Sequence, residues 1–124
     1  MITVILFTMS IIFGAVGALL MKIGAGRMGT IQLGSAQAIV HFLAKMFTNP
    51  MVLGGMTLYF LSAAVWLYLL TKLDISVVQP VLALTYVVTP ILAIIFLNEG
   101  VPPMRWFGIF IIILGVFIVA RTAA

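Results

Sequence analysis

Apolar residues come in four long runs separated by short polar stretches. The first run, "ITVILFTMSIIFGAVGALLM", covers about Ile2 to Met21 and contains no charged side chain. The others cover about Met51 to Leu70, Ile75 to Leu97 and Met104 to Ala120. Each is close to the roughly 20 apolar residues with which an α-helix crosses a hydrocarbon core of about 30 Å. The fold class expected is all-α, a four-transmembrane-helix bundle forming one domain over residues 1–124.

The breaks between runs have their own chemistry. Lys22 and the flexible "GAGRMG" close the first span, "NP" opens the second and "TKLD" closes it. "NEGVPP" ends the third, because paired prolines lack backbone donors and disfavour helix before them. Between spans one and two, Ile39, Phe42, Leu43, Met46 and Phe47 recur at helical spacing, with Gln37, His41 and Lys45 opposite. That pattern predicts a short helix lying in the membrane interface, its polar edge toward headgroups.

Composition agrees with a bilayer environment: 65% of residues are hydrophobic and 6% charged, with a mean hydropathy of +1.41. Six Lys and Arg against Asp74 and Glu99 give a net charge of +4. These charges fall at or near span ends and form no basic run, so they answer lipid headgroups and orientation rather than nucleic acid. Cysteine is absent, which excludes disulfides and thiol chemistry. The first run lacks a basic leader and exceeds a signal-peptide core of roughly 7 to 15 residues, so it is expected to be a retained span. Lys22, Arg27, Lys45 and Arg105 lie on the first and third connections, against Lys72 and Arg121 on the other side. That excess puts the first and third connections in the cytoplasm. The bias is small enough to permit insertion in both orientations, as in inverted-repeat transporters.

The spans carry no Asp or Glu, the group that proton-coupled pumps commonly hold at mid-membrane. Thr3, Ser10, Gly14 and Gly17 share one face of span one, which either lets a second helix approach or leaves room for cargo. Lys22, at the end of that span, either snorkels to the interface or waits for a phosphate or carboxylate, with Gly24, Gly26 and Gly29 exposing backbone N–H groups nearby. Tyr59, Ser62 and Trp66 share a face of span two. In span three, Gln79, Ala83, Tyr86 and Pro90 share a face, and Pro80 and Pro90 interrupt the helical ladder, so this span is the candidate wall of a pathway. Gly108 and Gly115 are seven apart on span four and form a shallow groove for another helix. No nucleophile, base and orienting group fall together, so the chain is read as a non-enzyme, and no cofactor or metal site is expected.

The residues "GALLMKIGAG" together with "WLYLLTKLDISVVQPVLALTYVVTPILAIIFLNEGVPPMRWFGIFIIILGVFIV" resemble the drug/metabolite transporter superfamily. One branch, the small multidrug resistance family, is similar in Lys22 and in the Gly108–Gly115 pair. Its span-one glutamate is not matched: eight residues before Lys22 stands Gly14. That departure argues against proton-coupled export of cationic drugs. The other branch is the short four-span EamA-like group resembling the subunits that flip aminoarabinose-linked undecaprenyl phosphate. Pro80, Glu99, "VPPMRWFG" and Gly115 carry that likeness. Because longer EamA transporters hold two such units, the resemblance implies half a transporter.

The resemblance implies a flippase or transporter subunit in a bacterial inner membrane, moving a lipid-linked or amphipathic anionic solute. Its partners would be membrane lipids and a second small subunit, as a homodimer, antiparallel where the charge bias allows, or a heterodimer. Lys22 and Arg105 are then candidates for a phosphate, Tyr59, Trp66, Gln79 and Tyr86 for the path, and Gly14, Gly17, Gly108 and Gly115 for helix contacts. Export of small metabolites or cationic drugs and a non-transporting accessory role are the alternatives.

Overall fold

The computed structural model describes residues 1–27 and 34–122, and Gly29 lies outside them. The described chain runs α1 (Ile2–Arg27), α2 (Ala36–Thr48), α3 (Pro50–Leu70), α4 (Ile75–Leu82), α5 (Thr85–Leu97) and α6 (Pro103–Arg121). Four segments are long and apolar enough to span a membrane: α1, α3, the stretch Ile75–Leu97 holding α4 and α5, and α6.

Helices in lipid gain nothing from burying apolar surface against one another, so close packing and interhelical hydrogen bonds hold them together. The α1–α3 pair is built on both. Ser62 Oγ donates to the Ser10 carbonyl at 2.9 Å, and the Ser10 and Ser62 hydroxyls lie 3.0 Å apart. Seven residues further along α1, Gly17 meets Gly55, which stands seven residues back along α3, so the two helices run antiparallel in fixed register. A Cβ at Gly17 would lie 2.7 Å from the Gly55 carbonyl oxygen, and one at Gly55 would lie 2.5 Å from the Gly17 oxygen. Only glycine fits either position without moving a backbone.

The same contact carries α1 beyond its expected end. The sequence suggested that Lys22 and the glycines after it would stop the helix at Met21, yet α1 continues to Arg27. Gly24 is buried, with Val52 so close that a Cβ would come within 2.6 Å of its Cγ2. Asn49 Nδ2 donates to the Gly24 carbonyl at 3.1 Å, while Asn49 Oδ1 accepts from the N–H groups of Met51 and Val52. One side chain thus caps the start of α3 and ties down the last turn of α1, and Pro50 fits where its missing donor costs nothing.

The third span breaks at Ala83–Leu84, between its two prolines. Here the backbone tightens: Ala83 N–H donates to Pro80, Leu84 to Val81 and Tyr86 to Ala83, each three residues back. The expected interruption therefore appears as a short 3₁₀-type joint. The span ends on Asn98, the one non-glycine residue in the described chain with a left-handed backbone (φ 53°). The prolines assigned to that stop instead begin the next helix, Pro102 as its cap and Pro103 in its first turn.

α6 packs on α4 and α5, and its buried residues are Ile109 and Val116, seven apart. Most of its remaining surface, including Phe107, Phe110, Phe117 and Ile118, is exposed. α2 begins at a Ser35 cap whose hydroxyl accepts from Ala38 N–H, packs on α3, and exposes Ile39, Val40, Leu43 and Phe47.

Candidate functional site

A cavity of about 260 Å³ opens between the α1–α3 pair and the broken third span. Its floor is Ser10 and Gly14 of α1 with Ser62 of α3, and its far wall is Leu82, Ala83, Thr85 and Tyr86 at the joint. Tyr59 and Gln79 complete the rim. Gly14 brings no side chain into this space, and an added Cβ there would rest 3.5 Å from Ser62 Oγ.

The chemistry of the lining is polar and uncharged. Ser10 is 2% exposed and bonded to Ser62, so this pair is fixed. Trp66 Nε1 donates to Gln79 Oε1 at 2.8 Å, joining the last turns of α3 to α4 and orienting the amide. Tyr59 is 46% exposed and Tyr86 62% exposed, and both line the cavity. Hydroxyls and an amide of this kind can bond a polar, hydroxyl-bearing head without the desolvation cost of a buried charge.

Lys22 lines a second cavity of about 240 Å³ with Ala18, Leu19, Thr89, Ala93, Leu97 and Glu99. The two cavities follow one seam. Along α1, Ser10, Gly14, Ala18 and Lys22 recur every four residues, and along α5 Thr85, Thr89, Ala93 and Leu97 do the same. At 1.5 Å per residue, Lys22 stands about 12 Å along α1 from Gly14. Glu99 therefore faces the Lys22 cavity, a placement that the sequence alone did not suggest.

Of the six residues expected to meet cargo, Tyr59, Gln79 and Tyr86 line the first cavity and Trp66 is bonded to its rim. Lys22 sits at the other end of the seam. Arg105 lies exposed in the first turn of α6 and lines neither of these two cavities. Gly14 and Gly17 are buried between α1 and α3, whereas Gly108 and Gly115 face outward with no atom within 4 Å of an added Cβ. Ser10, Ser62 and Thr85 were not among the expected cargo residues, although the repeat Ser10, Gly14, Gly17, Met21, Gly24, spaced four, three, four, three, marked the α3-facing stripe. Asn49 also escaped notice as a clamp, although Asn before Pro is a helix-start signal.

No protein-family model matches the sequence, and no solved structure gives a significant match. Three curated proteins, each named a "Probable 4-amino-4-deoxy-L-arabinose-phosphoundecaprenol flippase subunit", are similar to it. ArnE of Pseudomonas savastanoi is 35% identical over 63 residues, 51% of this chain and 55% of that protein. ArnE of Salmonella enteritidis is 32% identical over 91 residues, 64% of this chain and 82% of that protein. ArnF of Shewanella sediminis is 30% identical over 123 residues, 93% of this chain and 85% of that protein. With four membrane-length helices, they identify a multi-pass integral membrane protein, consistent with a bacterial inner membrane. A match that runs through nearly the whole chain makes this protein a member of the ArnE/ArnF family of small flippase subunits.

Proposed function

We propose that this chain is one half of a flippase that carries a lipid-linked anionic solute, of the polyprenyl-phosphate-sugar type, between leaflets. The observation that carries the reading is the uncharged, hydroxyl-lined cavity on the same α1–α5 seam as the cavity lined by Lys22 and Glu99. A sugar head bonds to Ser10, Ser62, Tyr59, Gln79 and Thr85, while the prenyl chain stays in lipid. Lys22 draws the phosphate to the mouth of the seam as a mobile point charge. The names of the relatives, which specify aminoarabinose-phosphoundecaprenol, support this class of cargo.

The exposure of the cavity supports a two-subunit assembly. Gln79 and Tyr86 reach the outer surface of the single chain, and polar groups facing lipid are costly unless another helix or cargo satisfies them. A second small subunit, identical or related, closes that side. The Gly108–Gly115 groove is the proposed contact, with residues 1–124 acting as one transmembrane unit. Arg105 is assigned to the headgroup region of this assembly rather than to the cavity.

The test is leaflet exchange of a fluorescent polyprenyl-phosphate sugar in liposomes. Lys22→Ala and Gln79→Leu are each expected to slow exchange about tenfold or more, by removing a charge-assisted or a neutral bond of about 1.5 kcal/mol. Wild-type exchange in both variants would overturn the assignment. Since the chain has no cysteine, single cysteines at Gly108 and Gly115 report contact directly: cross-linked dimers are expected, and their absence in active liposomes would exclude this interface.

A further inference from the structure

Where α1, α2 and α3 meet, a cavity of about 390 Å³ is lined by Arg27, Lys45, Thr48, Asn49 and Pro50. No residue of α4 or α5 lines it, so it lies off the α1–α5 seam on which Lys22 and the hydroxyl-lined cavity stand. Arg27 is the last residue of α1, and Lys45 stands in the last turn of α2. Two cations from separate helices thus converge on one space.

Nothing acidic in the chain answers them. The sequence holds two acidic side chains: Asp74 stands just before α4 at the opposite end of the bundle, and Glu99 lines the Lys22 cavity. Like charges repel when brought together, so an arrangement that gathers them without a carboxylate is stabilised by an anion from outside. The corner is also held in shape. Asn49 bonds the Gly24 carbonyl three residues before Arg27 and caps α3, and Thr48 Oγ1 donates within α2 to Ala44 or Lys45.

We infer that this corner binds the phosphate of an anionic phospholipid, independently of the transported cargo. Arg27 offers a planar fork that matches two phosphate oxygens, and Lys45 adds a point charge. A lipid is favoured over a soluble ion by depth: the corner lies where the membrane-length α1 ends and the membrane-length α3 begins, at the level of lipid headgroups. Ile39, Val40, Leu43 and Phe47, exposed on the face of α2 opposite Lys45, are apolar enough to lie against that same layer. The bound lipid would seat α2 on the bilayer and fix the end of α1 from which Lys22 projects.

Native mass spectrometry of the full chain in neutral detergent, titrated with phosphatidylglycerol or phosphatidylcholine, tests this. The wild type is expected to retain one phosphatidylglycerol about tenfold more tightly than phosphatidylcholine, equivalent to about 1.4 kcal/mol. The double variant Arg27→Gln/Lys45→Gln should lose that preference, while Lys45→Arg, which keeps the charge, should retain it. Lys72→Gln/Arg121→Gln, at the other end, should bind as the wild type does. Unchanged retention in the Arg27/Lys45 variant overturns the inference, as does an equal loss in the Lys72/Arg121 variant, which would indicate diffuse charge. Displacement of the lipid by excess inorganic phosphate would assign the corner to a soluble anion and overturn the lipid assignment.

Discussion

Adjacent glycines on α3 allow the α1–α3 contact to be tested against its own control. At Gly55 an added Cβ would lie 2.5 Å from the Gly17 oxygen, 2.6 Å from Met21 Cγ and 2.9 Å from Met21 N. At Gly54 the nearest atom would be Leu20 Cδ1 at 3.8 Å, ordinary contact with the tip of a flexible side chain. Replacing either glycine by alanine gains the same helix propensity, about 1 kcal/mol in soluble hosts, so the comparison cancels that term. What remains is the steric cost at Gly55. To bring 2.5 Å out to the 3.4 Å at which ordinary contact begins, the backbones must separate by roughly 0.9 Å, the difference between the two distances. Overpacking of this kind costs about 1–3 kcal/mol. It also strains the Ser10–Ser62 bonds seven residues away, each worth about 0.6 kcal/mol in membrane proteins. Gly55→Ala should therefore be less stable than Gly54→Ala by about 1–3 kcal/mol, measured by reversible unfolding in mixed micelles or by steric trapping. Equal stability of the two variants would refute the reasoning, because it would mean that α1 and α3 do not touch at Gly17.

Asn49→Ala should cost about 1 kcal/mol from the lost cap, and hydrogen exchange should show the last turn of α1 opening along with the first turn of α3; protection changed in α3 alone would contradict the clamp. A double-mutant cycle of Ser10→Ala and Ser62→Ala should give a coupling of about 0.6 kcal/mol, the mean for interhelical hydrogen bonds in lipid, and zero coupling would count against the observed pair. Trp66→Phe keeps the ring and removes the bond to Gln79, so exchange of a polyprenyl-phosphate sugar should slow while stability shifts by no more than about 1 kcal/mol; a fast, wild-type rate would release Gln79 from its orienting partner. Gly108→Leu should leave the unfolding of the single chain unchanged, since nothing lies within 4 Å of an added Cβ, yet weaken association of two subunits, read by sedimentation in detergent.

Hydrophobic run length made the four spans legible, because a bilayer demands about 20 apolar residues whatever their identity. Helix ends were less legible, since tertiary contacts decide them: the glycines after Lys22 read locally as a stop, and only the approach of Val52 and Asn49 explains why α1 reaches Arg27. Pro80 and Pro90 marked the third span as one that breaks but not where: both stay inside helices, and the joint falls between them at Ala83–Leu84. The stop at Asn98 depends on a left-handed conformation that asparagine tolerates but does not require. The site was legible by type rather than by grouping. Tyr59, Gln79 and Tyr86 stood out as polar letters in apolar spans, whereas Ser10 and Ser62, 52 positions apart, become neighbours only through the antiparallel register. Arg105 and Lys22 looked equivalent on one surface, and it is the seam along α5 that separates them.

All eight Asp, Glu, Lys and Arg side chains of the sequence, Lys22, Arg27, Lys45, Lys72, Asp74, Glu99, Arg105 and Arg121, stand in the connections or within five residues of a helix end. Rearrangements of the empty bundle consequently carry almost no protein charge through the transmembrane electric field, which contributes about 2.3 kcal/mol per elementary charge per 100 mV. Voltage should leave the resting protein nearly indifferent and act on the passenger alone, so that an imposed potential across proteoliposomes alters directional bias in proportion to the valence of whatever is being carried.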